Sequence, residues 1–457
     1  MKQHSMRAET KIYKKLSVLP LASVIFLTVS GGPYGLEPVL YYVGGGGALL
    51  LLVITPILWD IPTILTVMEL NSMMPITGGY YQWVKRAMGM RWACYEGWWT
   101  WLYTFVDLAI YPQLFILYAS LFFPQIAAYR IPICLCFIWI CAGINILGIV
   151  PVGKISMLLG ALVLIPFIVL IAVSNHPAPH LTHFAASFKN TGSSLIGMGL
   201  FTIMWNFIGW DNVTTYAEEV KSPVKSYRKA VVIAFCTVFV LYFATVLTTE
   251  QSHISPTLLR DNGFAAIGPF TGRNWLGLLI SAGGMISSIG LFSAVLLSVS
   301  RVPQVMSEDK LLPGKLHALH PKYGSPHVSI IICAIVVSCM TAWTFGELLI
   351  IDITIYFAGL ALEYISLVKL RIKEPNATRP FKIRLNTTGL CIMVALPIIV
   401  YLTALSDAII KSKEAVKPAL FAFALILSAE VMWIIVKWKN PRIADIKEGE
   451  NAANPKY

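Results

Sequence analysis

"LTVSGGPYGLEP", residues 27–38, lies where the first membrane-crossing helix ought to run, and it is poorly built for one. Two adjacent glycines and a proline withdraw helix propensity, and the proline also lacks a backbone donor and clashes with the preceding turn. A second break falls in the sixth apolar run, "FTIMWNFIGWDNVTTYAEEV", residues 201–220. This stretch is apolar to Ile208 and then passes through Gly209, Trp210, Asp211 and Asn212 before a shorter helical piece. Asn and Asp compete for backbone hydrogen bonds, which makes this tetrapeptide an unwinding point.

The setting is a membrane. The 457 residues are 57% hydrophobic and 13% charged, with a mean hydropathy of +0.71, outside the range of water-soluble globular chains. Apolar runs of about 20 residues, enough to cross a hydrocarbon core, are expected at 17–42, 48–72, 93–124, 130–149, 155–175, 195–219, 230–250, 274–300, 327–344, 348–370, 387–409 and 418–436. The expected fold class is thus an all-α integral membrane protein of about 12 helices with no separate soluble domain. The expected organisation is an N-terminal tail (1–15), a core (16–371) of two five-helix repeats (about 16–175 and 195–371), two peripheral helices (386–437) and a C-terminal tail (438–457).

A net charge of +12 does not point to nucleic acid here, because the basic residues alternate between successive loops instead of forming one patch. Loops on the side of the N-terminus carry most of them, so both termini are expected in the cytoplasm. Lys411, Lys413 and Lys417 run against the trend, and a miscounted eleventh or twelfth span is the alternative. The first apolar run is too long for a signal peptide and lacks a small-residue cleavage site. The eight cysteines show no metal-ligand spacing and read as packing residues.

Inside a bilayer an unpaired backbone N–H or C=O costs several kcal/mol, so unwound backbone survives only where protein, water or ligand satisfies it. Interrupted helices at corresponding positions of two halves are the sequence signature of a secondary transporter's binding site. Gly31, Gly32 and Gly35 let substrate atoms approach the chain directly. A plain helix kink is the ordinary alternative for either break taken alone.

Charges at membrane depth are costly and mark pathways. Asp107, Asp211 and Glu363 look deep, with Glu37, Asp60 and Asp352 nearer the margins, and no Lys or Arg is comparably central in the first ten spans. That imbalance favours a cationic ligand or bound protons. Glu96, Tyr103, Asp107 and Tyr111 share one face of the third span. Asp107 bonded to a neighbouring helix, and Glu96 and Asp352 as structural groups, are the alternatives. Trp92, Trp98, Trp99 and Trp101 read as an interfacial belt, whereas Trp205 and Trp210 flank the second break, where an aromatic face suits methylenes or an ammonium group.

"SGGPYG", "PITGGYYQWVKRAMG" at 75–89 and "GWDNVTTYAEEVKSP" at 209–223 resemble the signatures of the amino acid-polyamine-organocation transporters. "EGWWTWLYTFVDLAIYPQLF" at 96–115, "WNFIGWD" at 205–211, "SEDKLLP" at 307–313 and "LVKLRIKEPNATRPFKI" at 367–383 are similar to the eukaryotic polyamine uptake transporters of plants. The resemblance implies the LeuT-type fold, two inverted five-helix repeats with alternating access. It also implies a substrate site holding Ser30, Gly31, Gly32, Gly35, Asp107, Trp205, Trp210, Asp211 and Glu363. Residues 75–89, with Gly78 and Gly79, would help close an inner gate. The lysine that many amino acid carriers of this superfamily hold in mid span five is absent from "LLGALVLIPFIVL", and proton coupling is preferred.

The function expected is a proton-coupled permease for polyamines such as putrescine and spermidine in the plasma membrane. An amino acid permease or exchanger of the same superfamily is the alternative, and a non-transporting nutrient sensor a more distant one. The expected partners are a small-molecule substrate, protons and lipid. No cofactor, metal or enzymatic constellation is expected.

Overall fold

The computed structural model describes residues 17–148, 154–174, 195–219, 223–299 and 301–441. The expected N-terminal tail and the end of the C-terminal tail lie outside these residues. Helix α1 (Val18–Val29) stops at Ser30, and α2 (Glu37–Thr55) resumes after seven residues without helix. Within α2, Gly44 has φ 69° and ψ 171°, so the turns before it belong to the first span. The rest runs through a π-turn at Pro56–Asp60 into α3 (Ile61–Met73) as the second span. Two prolines, Pro56 and Pro62, bracket that turn, and a π-turn is how a helix absorbs their missing donors.

The chain continues through α4 (Gly79–Met88), α5 (Met90–Ala119), α6 (Arg130–Ile146) and α7 (Lys154–Val173). Then α8 (Ile196–Asn206) is followed by a non-helical stretch and a 3-10 helix at Asn212–Glu219. Next come α9 (Pro223–Gln251), the short α10 (Pro256–Asn262) and α11 (Ile267–Phe270), and α12 (Asn274–Val299). The last are α13 (Arg301–Glu308), α14 (His327–Met340), α15 (Phe345–Lys373), α16 (Thr387–Lys411) and α17 (Val416–Lys439). Among the described residues, eight helices are long and apolar enough to cross a membrane, and four shorter apolar ones accompany them. With the break at Gly44 they make twelve spans, as the hydropathy predicts.

Packing shows two interlocked halves. The first span lies on the seventh (α1 on α9) as the sixth lies on the second (α8 on α2). The third lies on the tenth (α5 on α15) as the eighth lies on the fifth (α12 on α7), and the first meets the fifth as the sixth meets the tenth. Each pair becomes its counterpart when both span numbers are shifted by five, counting round the first ten spans. The third with the eighth, and the fourth with the ninth, map onto themselves. Helices α16 and α17 stand outside this exchange. α17 leaves Leu420, Leu427 and Val431 exposed, an apolar face suited to lipid.

The connections sort into two ends. At the end rich in basic loops, Lys85 meets Asp309, Arg86 meets Glu374, and Ser325 Oγ donates to the Ile146 carbonyl (2.6 Å). At the other, the Leu195 N–H donates to the Tyr42 carbonyl (3.0 Å), and Lys417 lies 4.8 Å over the Trp343 ring. The Lys411–Lys417 cluster is therefore at the sparsely charged end with no span miscounted. Four connecting helices were not anticipated: α4, α10, α11 and α13 are amphipathic or short and carry no hydropathy peak. The tryptophans of α5 are mostly not a belt: Trp99 and Trp101 are buried, and Trp98 and Trp99 donate to Ser428 Oγ (2.8 Å) and the Ile426 carbonyl (2.9 Å) of α17.

Candidate functional site

Seven residues, Ser30–Leu36, separate the two pieces of the first span, and Gly31, Gly32 and Gly35 take φ of 55°, 96° and 88°, a region that L side chains enter only with strain. Their backbone groups are mostly spoken for. The Ser30 and Gly31 N–H groups both donate to the Phe26 carbonyl (2.9 and 3.0 Å), and the Gly32 N–H donates to Ser30 Oγ (3.0 Å). Ser287 Oγ of α12 donates to the Gly31 carbonyl, and Asn206 Nδ2 to the Gly35 carbonyl (3.3 Å). The Tyr242 hydroxyl of α9 reaches Ser30 Oγ (2.6 Å), the Gly32 carbonyl (3.2 Å) and the Asn206 carbonyl (3.1 Å). One phenol thus ties both breaks together.

The second break runs from Phe207 to Asp211, with Gly209 at φ 95°. A Cβ at Gly209 would lie 3.0 Å from the Thr28 carbonyl oxygen, so the second break packs closely on the last turn of α1, just before the first break.

Between the breaks lies a cavity of about 10 Å³ lined by residues that include Ser30, Tyr103, Asp107, Tyr111, Trp205 and Asn212. That is room for about one water molecule, so the centre is closed around itself. Asp107 is buried, and both of its oxygens are engaged: Trp205 Nε1 donates to Oδ1 (2.9 Å) and the Tyr111 hydroxyl to Oδ2 (2.6 Å). Among the described residues no cation pairs with it. Gly35 permits the Trp205 ring to close, because a Cβ there would come 2.8 Å from Cζ3.

The other residues singled out by sequence sit around this centre. Trp210 turns away from the cavity, donating from Nε1 to Asp60 Oδ1 (3.2 Å), while its carbonyl accepts from the Tyr227 hydroxyl (2.6 Å). Asp211 Oδ1 accepts from the Tyr356 hydroxyl (3.2 Å), and Tyr103 donates to Asn212 Oδ1 (3.2 Å). These two bonds form a floor under the cavity. Glu363 is buried below that floor, within electrostatic range of Asp211 and Glu96.

Both ends are closed. Toward the sparsely charged end, Glu37 Oε1 accepts from the Tyr118 hydroxyl and from the Phe264 N–H (3.2 Å), pinning the connection before α12 onto the first span. Toward the basic end, the Gly78 N–H donates to the Thr215 carbonyl (3.0 Å), and a Cβ at Gly79 would lie 3.0 Å from the Thr214 carbonyl carbon. Asp309 accepts from both the Tyr81 hydroxyl (2.6 Å) and Lys85 Nζ (2.7 Å). Burial, with this carboxylate beside it, holds the Tyr81 phenol protonated well above its ordinary range. Arg86 forks onto Glu374 (3.0 and 2.6 Å), and Arg371 onto Glu69.

Sequence reasoning missed Tyr242, Asn206, Tyr356 and Tyr80. Asn206 stands beside the break in "MWNFIGWD" and was legible there. Tyr242 is a lone hydroxyl in an apolar run, and only the fold shows what it reaches.

Paired discontinuous helices around a buried acidic centre, closed at both ends, define a multi-pass membrane transporter. The sequence comparisons agree: the amino acid permease pattern matches residues 16–429, and the chain belongs to that family. It is 34% identical over 387 residues to a polyamine transporter of Arabidopsis thaliana, covering 84% of this chain and 79% of that one. It is 30% identical to a polyamine transporter of Oryza sativa subsp. japonica over 84% of this chain and 72% of that one. A branched-chain amino acid permease of Bacillus subtilis matches 50% of this chain and 49% of its own at 26% identity. Among solved structures, the manganese transporter of Eremococcus coleocola shares the fold, with a TM-score of 0.58 at 14% identity, covering 93% of this chain and 94% of that one.

Proposed function

We propose that this chain imports polyamines such as putrescine and spermidine across the plasma membrane by alternating access, driven by protons, with the basic end and both termini in the cytoplasm. The observation that carries the reading is Asp107, a buried carboxylate on the central cavity with indole and phenol donors and no cationic partner among the described residues. Such a site attracts an ammonium group, and the flanking Trp205 and Tyr111 rings add cation–π attraction. The relatives named as polyamine transporters support the same substrate class.

In this reading Ser30, Gly31, Gly32 and Gly35 supply backbone and hydroxyl contacts once the breaks part, with Trp205, Trp210 and Asp211 completing the acidic, aromatic lining, while Glu363, which the family resemblance includes in the site, lies below the floor and apart from it. Gly78 and Gly79 let the connection after the second span close on the sixth at the inner gate. The family and the bacterial permease relative support a second reading, an amino acid permease in which the Gly31–Gly32 backbone meets a carboxylate. The test is uptake of radiolabelled putrescine, spermidine, arginine and leucine into liposomes holding the purified protein, with and without an inward proton gradient. Gradient-stimulated uptake of putrescine or spermidine is expected; uptake of leucine with neither polyamine overturns the first reading in favour of the second.

A further inference from the structure

Below the floor made by Tyr103–Asn212 and Tyr356–Asp211 lies a second acidic layer that the central cavity does not reach. Glu96 on α5, Asp211 at the second break and Glu363 on α15 are all buried and lie within electrostatic range of one another. Glu96 Oε2 and Glu363 Oε2 have no hydrogen-bond partner, and neither has the hydroxyl of Tyr80, which α4 inserts among the three carboxylates. The remaining titratable neighbours are Tyr103, Tyr356 and Tyr364, which bring no positive charge. On the elements packed against the layer, Lys85, Arg86, Arg91 and Arg371 are committed to Asp309, Glu374, Glu430 and Glu69.

Three buried carboxyl groups in such a place draw in a proton or a cation. The space decides which kind. The Tyr103–Asn212 and Tyr356–Asp211 bonds stand between this layer and the cavity at Asp107, and α15 packs closely on Glu96, a Cβ on Gly359 falling 3.2 Å from its Oε1, so a proton is the positive charge that reaches the layer without the floor opening.

We infer that Glu96 and Glu363, with Tyr80 as the hydroxyl between them, form the proton site of this carrier, separate from the substrate site at Asp107. The inference rests on the proton-driven transport proposed above. A carboxylate of the pair takes up a proton while the centre is open to the outer side. The proton is released to water at the basic end when α4, which carries both Tyr80 and the Asp309 contacts, withdraws from the sixth and tenth spans. The layer thus links inner-gate opening to deprotonation.

The test compares two assays on the same proteoliposomes carrying wild type, Glu96→Gln or Glu363→Gln. One is accumulation of labelled putrescine driven by an acid exterior, with internal pH followed by a trapped dye. The other is exchange of labelled for unlabelled putrescine at equal pH, which needs no net proton movement. Both variants should lose gradient-driven accumulation and the accompanying internal acidification while retaining exchange. Accumulation at the wild-type level overturns the inference. So does loss of exchange in a variant that elutes as folded protein, since the layer would then hold substrate. Glu363→Asp, which keeps the carboxyl, should restore accumulation, and failure of this rescue in a folded protein also counts against the proposal. If a glutamine variant does not fold, wild-type protein labelled with a hydrophobic carbodiimide at low pH gives the readout: modification mapped to Glu96 or Glu363 supports the assignment, and its absence from both overturns it. Should the wild type move no polyamine in either assay, the substrate reading fails instead, and the same pair of assays is run with leucine.

Discussion

The hydroxyl of Tyr242 lies 2.6 Å from Ser30 Oγ and 3.1 Å from the Asn206 carbonyl, so a single side chain of the seventh span holds the unwound parts of the first and sixth together. All three residues are buried.

Replacing Tyr242 by Phe keeps the ring and its 5.1 Å edge contact with Phe207 but strands polar atoms of both breaks. The expected cost is about 1–3 kcal/mol of stability, read as a lower unfolding midpoint in detergent, together with slower transport. Unchanged stability and rate would mean that the breaks do not depend on this hydroxyl.

Asp107→Asn retains an acceptor for Trp205 or Tyr111 and removes the charge. Loss of a charge-assisted bond of about 1.5–3 kcal/mol corresponds to roughly a 10- to 100-fold higher KM for putrescine. A neutral zwitterionic substrate should be affected much less. Equal KM values for putrescine in wild type and variant would move the ammonium site elsewhere.

Gly209→Ala places a Cβ at φ 95° and 3.0 Å from the Thr28 carbonyl oxygen. Backbone strain of this kind costs about 1–3 kcal/mol, and the contact with the end of α1 must also widen. Transport should fall sharply while the protein still inserts and elutes as a monodisperse species. Full activity would show that this close approach of the second break to the end of α1 is not needed.

Asp309→Asn removes the charge and one of the two acceptor oxygens that serve Tyr81 and Lys85 and should loosen the inner closure. Cys94 is buried on α5 beside Tyr81, which supplies a native reporter. With the exposed cysteines Cys136, Cys236, Cys339 and Cys391 replaced by Ser, maleimide labelling of Cys94 should be faster in the Asp309 variant. Equal rates would place the closure on Arg86–Glu374 and Arg371–Glu69 alone.

The breaks in the first and sixth spans were legible because glycine, proline, Asn and Asp inside an apolar run all work against a continuous helix, and the twelve spans followed from hydropathy alone. The third-span face was legible too: Tyr103, Asp107 and Tyr111 do line one cavity, as their helical spacing demands. What could not be read was direction. Trp205 and Trp210 flank the same break, yet one indole meets Asp107 and the other Asp60, because unwound backbone has no fixed period to say where a side chain points. Glu96 shares the helical face of Asp107, but its place under the floor depends on α15 and α4, elements distant in sequence.

Both oxygens of Asp107 are already held by an indole and a phenol when the centre is closed; if the cargo binds there as proposed, it exchanges partners with the protein instead of quenching a bare charge. The grip is weakened on arrival and, by the same margin, release is eased at the far side. A carrier is useful only if it lets go, and on the proposed assignment these two aromatic donors favour departure by competing for the carboxylate each time the passenger loosens.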